Sequence, residues 1–105
     1  MKNNRHYFTH ESYDVYRVAL EVTRWVRSLQ VSGDLGKQIT RASESMVLNI
    51  AEGLGRTGKS KRNHLRIALG SAAETCACLD VLGSKDAPDH QDKLRRVGAM
   101  LSRMT

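Results

Sequence analysis

The sequence predicts an all-α chain, folded as a single up-down-up-down bundle of four antiparallel helices. Three observations carry this expectation. Apolar residues recur at spacings of three and four, the period of a helix that buries one face. A single proline interrupts 105 residues, and proline breaks helix interiors. Sustained alternation of apolar and polar residues, the signature of a strand, is absent. The length is that of one domain, able to bury a core but of modest stability alone.

Each helix can be placed in turn. Residues 1–11 are expected to be a flexible tail and residues 12–105 the bundle. The first helix spans 12–30, with Val15, Val18, Val22, Trp25 and Leu29 on one face and Ala19 and Val26 widening it. Gly33 is its expected left-handed cap. The second spans 35–55, capped by Asp34, and buries Leu35, Ile39, Ala42, Met46, Ile50 and Gly53. The third opens at Ser60, ends at Gly83, and buries Leu65, Ala68, Leu69, Ala72, Cys76 and Leu79. The fourth opens on Asp86-Ala87-Pro88-Asp89, a proline in the first turn with acids around it. Leu94, Val97, Leu101 and Met104 mark its inner face. Connections of four to six residues make consecutive helices neighbours.

Composition narrows the function. The net charge is +6 and the isoelectric point near 9.8, which favours polyanionic partners but also fits a protein that is basic for no such reason. No apolar run approaches a membrane span, and the first residues contain no secretory signal, so the expectation is a cytoplasmic protein without membrane contact. Cys76 and Cys78 would lie about 200° apart on a helix, too far round to share a metal or a disulfide. No phosphate loop, nucleophile-and-base arrangement or metal-spaced cluster is present. His6 and His10 fall in the tail, and His64 and His90 stand singly. The expectation is a non-enzyme without cofactor, metal or small-molecule substrate.

The second helix carries the most informative pattern. Gln38, Arg41, Ser45, Asn49, Glu52 and Arg56 follow one another at three or four residues, which places them in a narrow arc beside the apolar face. Glu52 and Arg56 stand i, i+4 in the favoured order. Ser and Asn are poor helix formers at exposed sites, so two of them in mid-helix point to partnered side chains rather than a plain solvated face.

The same residues carry a family resemblance. Gln38-Ile39-Thr40-Arg41-Ala42, Ser45, Asn49-Ile50-Ala51-Glu52-Gly53 and Gly55-Arg56 resemble the signature of the four-helix-bundle proteins encoded in 23S rRNA intervening sequences. The related accessory variability determinant proteins of diversity-generating retroelements share it. Leu65, Ala68, Gly70-Ser71 and Glu74 are similar to the family's third helix, and Tyr13-Asp14-Val15-Tyr16 with Ala19 to its first. The likeness covers residues 13–82 and fails in the fourth helix. It implies an antiparallel four-helix bundle and assembly into a homopentameric ring. In the retroelement branch it also implies a non-catalytic accessory role, binding nucleic acid and a reverse transcriptase. Within it Gln38, Ser45, Asn49, Glu52 and Gly53 form the structural stripe.

Nucleic acid has one best place to bind. Residues 53–73 contain no acid but carry Arg56, Lys59, Lys61, Arg62 and Arg66. Lysines at a helix start oppose the macrodipole, a placement that gains nothing for stability, whereas a bound anion there would meet free backbone N–H groups. Arg41 on the second helix is grouped with this set, RNA and DNA both being open. A solvated basic loop is the plain alternative. Lys93, Arg95, Arg96 and Arg103 form a second basic set, and Arg24 and Arg27 add charge to the first helix. A ring would repeat each patch and turn weak contacts into avid ones. In the tail, Arg5, His6, Tyr7 and Phe8 have the chemistry to stack on bases, though termini usually fray. For the oligomer interface, Val47, Ala51 and Leu54 form an apolar patch off the main seam, and Gly70, Ala73 and Ala77 give the third helix a side of small residues. The rival reading is a protein-interaction scaffold of the intervening-sequence type whose basic face meets an acidic protein.

Overall fold

The computed structural model describes residues 7–105. Among them are four α-helices and no strand: α1 (Asp14–Leu29), α2 (Gly33–Leu54), α3 (Gly58–Leu82) and α4 (Ala87–Met104), preceded by a 3-10 turn at Thr9–Ser12. The connections, residues 30–32, 55–57 and 83–86, are three or four residues long, shorter than expected at the first two. Each helix packs on its neighbours in sequence and α1 closes on α4, while α1 and α3, and α2 and α4, face each other diagonally with their Cα atoms more than 8 Å apart. Four helices therefore enclose one core as a compact bundle. No helix among the described residues is long and apolar enough to cross a membrane.

Several boundaries differ from expectation, each for a local reason. Residues 7–11 are not a loose tail. The Phe8 N–H donates to Glu11 Oε1 at 2.7 Å, and the Tyr13 N–H to the His10 carbonyl at 3.1 Å, which winds the 3-10 turn and delays α1 to Asp14. Arg5 and His6 lie outside the described residues. The first helix ends in a left-handed residue, but this is Gln30 at φ 52°, and Ser32 rather than Asp34 occupies the cap of α2. The third helix starts at Gly58, with Thr57 rather than Ser60 as its cap. Gly58 holds φ +59°, a conformation that costs a residue without Cβ little.

The core is wider than a single stripe per helix. Val15, Ala19, Val22, Val26, Ile39, Ala42, Met46, Ile50, Leu65, Ala68, Ala72, Leu79, Leu94, Val97 and Leu101 are buried as expected. Val18, Trp25, Leu29, Leu35, Leu69, Cys76 and Met104 are half-buried. On α3 the buried cysteine is Cys78 rather than Cys76, with Ser71 and Thr75 buried beside it. Burial, with Glu74 as a smaller influence, pushes the Cys78 thiol up. Val47 and Leu54, expected on a free oligomer face, are 6% and 5% exposed and belong to the subunit's own core. The reason is that α2 has two helical neighbours, α1 and α3, so two of its faces are covered.

Two glycines permit close backbone approaches, one between helices and one within a connection. A Cβ at Gly53 would lie 2.9 Å from Leu65 Cδ2 and 3.2 Å from His64 Cβ, so α2 and α3 approach closely because that position is bare. A Cβ at Gly36 would lie 1.8 Å from the Val31 carbonyl oxygen, so the first turn folds back over bare backbone. Where α1 meets α4, Trp25 and His90 stack at 3.7 Å with planes 4° apart, and Lys93 Nζ donates to Glu21 Oε2 at 2.5 Å. That bond, with the attraction between the charges, holds the Glu21 carboxyl below its ordinary range and the Lys93 ammonium above its own.

Gly53→Ala is expected to cost about 1–3 kcal/mol through overpacking against Leu65, less up to about 1 kcal/mol of gained helix propensity. Gly36→Ala meets a backbone oxygen that cannot rotate away and is expected to cost more. Urea unfolding of the two variants checks the order.

Candidate nucleic-acid interface

The polar stripe divides into two parts with different partners. Ser45 and Asn49 are half-buried and bridge to α3. Asn49 Nδ2 donates to the Ser45 carbonyl at 2.9 Å and to Ser45 Oγ at 3.3 Å. This leaves Asn49 Oδ1, an acceptor only, facing His64 Nδ1 at 2.9 Å, so that ring nitrogen carries the proton. Ser71 Oγ donates to Ser45 Oγ at 2.9 Å, and Thr75 Oγ1 to the Ser71 carbonyl at 2.8 Å. A polar chain thus runs along the α2–α3 seam beside the core, just above the close approach at Gly53. Every buried side-chain N or O among the described residues has a partner, as burial requires.

Glu52 and Arg56 form the second part, and both are exposed. Arg56 Nε donates to Glu52 Oε2 at 2.7 Å, and its Nη1 reaches Ser60 Oγ at 3.5 Å. The hydrogen bond first, and then the guanidinium charge, hold the Glu52 carboxyl below its ordinary range. Arg56 therefore ties the end of α2 to the first turn of α3. Gln38 and Arg41 are exposed at the other end of α2.

The basic residues around the second turn all lie in or just before the first turns of α3. Lys59, Arg62 and Arg66 are exposed on α3 and Lys61 is half-buried. Among the described residues the ion pairs are Arg17–Asp14, Arg27–Glu44, Arg56–Glu52, Lys93–Glu21 and Arg95–Asp92. Of the expected binding set only Arg56 is in one. The second basic set, by contrast, is partly neutralised, with Lys93 and Arg95 both engaged. Arg41 does not join the cluster. It sits about 18 Å along α2 from Gly53, in a shallow groove with Lys37, Thr40 and Glu44.

The small residues of α3 face a different neighbour. Ala73 and Ala77 line an apolar groove of about 380 Å³ between α3 and α4, with Leu69, Cys76, Leu94 and Gly98. Gly70 is exposed and its missing Cβ would meet nothing. Ala51 is half-buried in another groove, shared with the N-terminal turn. Residue patterns on α2 disclosed the stripe but not its partners His64 and Ser71, nor Thr75, which bonds back to Ser71 within α3. Their spacings of seven and four, which put them on one side of α3, were the available signal.

Asn49→Ala is expected to cost about 1–3 kcal/mol, because it strands the His64 N–H at a half-buried site. A double-mutant cycle with His64→Ala should return a coupling of at least about 0.5 kcal/mol. The lowered Glu52 pKa gives a signed pH dependence. The pair's contribution is present above the ordinary carboxylate pKa and is lost as pH falls through the lowered one. Glu52→Gln should remove that part of the acid-induced loss of stability, read as a flatter pH profile of the unfolding midpoint.

No curated protein and no solved structure in the comparisons matches this chain. A family model does match, over residues 8–103, which takes in the N-terminal turn, α1 to α3 and all of α4 but its last residue. The bundle, its Asn49–Glu52–Gly53 seam and this match agree that the chain belongs to the 23S rRNA-intervening sequence protein family.

Proposed function

We propose that this protein is a non-catalytic, cytoplasmic accessory protein that binds nucleic acid as a basic homo-oligomeric ring. The observation that carries the reading is the unneutralised charge of Lys59, Lys61, Arg62 and Arg66 at the start of α3, in a stretch, residues 53–73, without a single acid. Phosphate is the ligand such a cluster suits, since each Lys or Arg that neutralises a phosphate releases a counterion condensed on the nucleic acid and so contributes sequence-independent affinity. The first backbone N–H groups of α3 point the same way. Arg56 contributes charge while bridging to Glu52, and Arg41 would meet a polyanion separately, at the far end of α2. Catalysis has no part in the reading.

The exposed face of α3 supports the ring. Ile67 and Val81 are 44% and 74% exposed there, and the small-residue groove by Ala73 and Ala77 admits a close neighbour. Within a subunit we read the helices as antiparallel, up-down-up-down. Along α2 from Ser45 to Asn49, the partners on α3 run back from Ser71 to His64, and the short turns support the same order. Five copies form the closed ring that the retroelement relatives suggest, with a reverse transcriptase as protein partner. A scaffold binding an acidic protein through the same basic face is the second reading, favoured by the same unpaired lysines and arginines.

Titration with structured RNA, single-stranded DNA and duplex DNA at several salt concentrations separates the two. The expected result is micromolar or tighter binding at low salt that weakens steeply as salt rises. Absence of binding to all three at low salt would sink the nucleic-acid reading. Replacing Lys59, Arg62 and Arg66 together by Glu should abolish binding with helicity intact by circular dichroism. A mass measurement in solution should give a multiple, expected fivefold, of the 11.7 kDa chain, and Ala77→Arg should reduce it.

A further inference from the structure

We propose that the N-terminal turn and the end of α2 form a seat for an unpaired nucleobase, so that the strand held by the basic turn is single-stranded where it crosses them. The inference rests on the nucleic-acid reading above and names the form of strand that reading leaves open.

The first observation is a large aromatic surface held out of the core. Phe8 is 75% exposed and Leu48 66%, and Phe8 faces α2 across a groove of about 660 Å³. Water contact of this extent is unfavourable for apolar side chains, and contiguous exposed patches mark binding sites. Looseness does not explain it. The Phe8 N–H is bound by Glu11 Oε1 at 2.7 Å, and Arg17 donates to the Glu11 carbonyl at 3.2 Å. His10 packs edge-on against Tyr16 at 4.5 Å, and the Phe8 ring lies nearly parallel to that of His10, 6.1 Å away. The backbone that presents Phe8 is therefore pinned to α1, and a ligand there meets a ring carried on an already ordered backbone.

The second observation is where the groove lies. Its far wall is Leu48, Ala51, Glu52 and Gly55, two of them too small to fill it. Glu52 binds Arg56, which reaches Ser60 in the first turn of α3. The apolar seat and the basic cluster are thus joined by one side chain. Aromatic surface beside a strip of cations is the combination that single strands use, bases stacking while phosphates pair with Lys and Arg. A duplex hides its base faces and has nothing to offer Phe8. An apolar side chain of a protein could also enter the groove, but it would not bring the polyanion that the adjoining cations suit.

The test compares single strands with a blunt duplex of the same sequence by fluorescence anisotropy, in RNA and DNA versions. The single strands carry one fluorescent purine analogue that is quenched on stacking. The wild-type chain is expected to prefer the single strand and to quench the analogue. Phe8→Ala should lower the ratio of single-strand to duplex affinity about tenfold, one stacked base being worth about 1–3 kcal/mol, and abolish the quenching. Phe8→Trp should retain both. Circular dichroism establishes that the variants are folded. A ratio unchanged in Phe8→Ala, with no quenching by the wild type, overturns the base seat while leaving phosphate binding standing. Failure of the wild type to bind any of these nucleic acids overturns the functional reading and the seat with it.

Discussion

The close approach of α2 to α3 is the constraint on which the rest of this bundle depends. It exists because Gly53 has no side chain, so that Leu65 and His64 of α3 press against the backbone of α2. At that separation the short side chains of Ser45, Asn49 and Ser71 span the seam, which longer ones could not do without leaving the core. Dispersion at the glycine and hydrogen bonds one and two turns away reinforce each other, because a seam that opened would lose both. The turn that follows is short for the same reason: helices this close need only residues 55–57 to connect them.

That seam also places the charge. Leu65 is fully buried, and its burial turns the side of α3 that carries Arg62 and Arg66 to the surface, where both are exposed. Glu52 and Arg56 then span the turn. The neighbouring α1–α4 seam uses its charges differently, with Lys93 and Glu21 neutralising each other across helices. Both regions are basic in sequence, and pairing in space is what distinguishes them.

Periodicity alone revealed the four helices, because each has an apolar repeat strong enough to override weak local propensities. It misjudged Val47 and Leu54, since a helical stripe indicates one buried face, whereas a helix with two neighbours has two. Helix starts were displaced to Gly33 and Gly58 because cap residues such as Asp34 and Ser60 are equally at home in a first turn. The stripe from Ser45 to Arg56 was legible in outline. Its partners on α3 were not, as nothing in one helix specifies which residue of another it will meet. The N-terminal turn was illegible for a related reason: Glu11 reaching back to the Phe8 N–H is a single contact, too local for a periodic signal.

The way the ends of the chain meet has a kinetic consequence. Three of the four helix interfaces join neighbours across turns of three or four residues, so they close at little entropic cost. The fourth, where Trp25 lies on His90 and Glu21 meets Lys93, brings together residues from opposite ends of the chain. On a nascent chain, α1, α2 and α3 emerge while α4 is still being made, and the flank of α1 that carries Trp25 waits uncovered. The only tryptophan thus sits at the joint of greatest sequence separation, where its fluorescence reports directly on whether α1 and α4 have met.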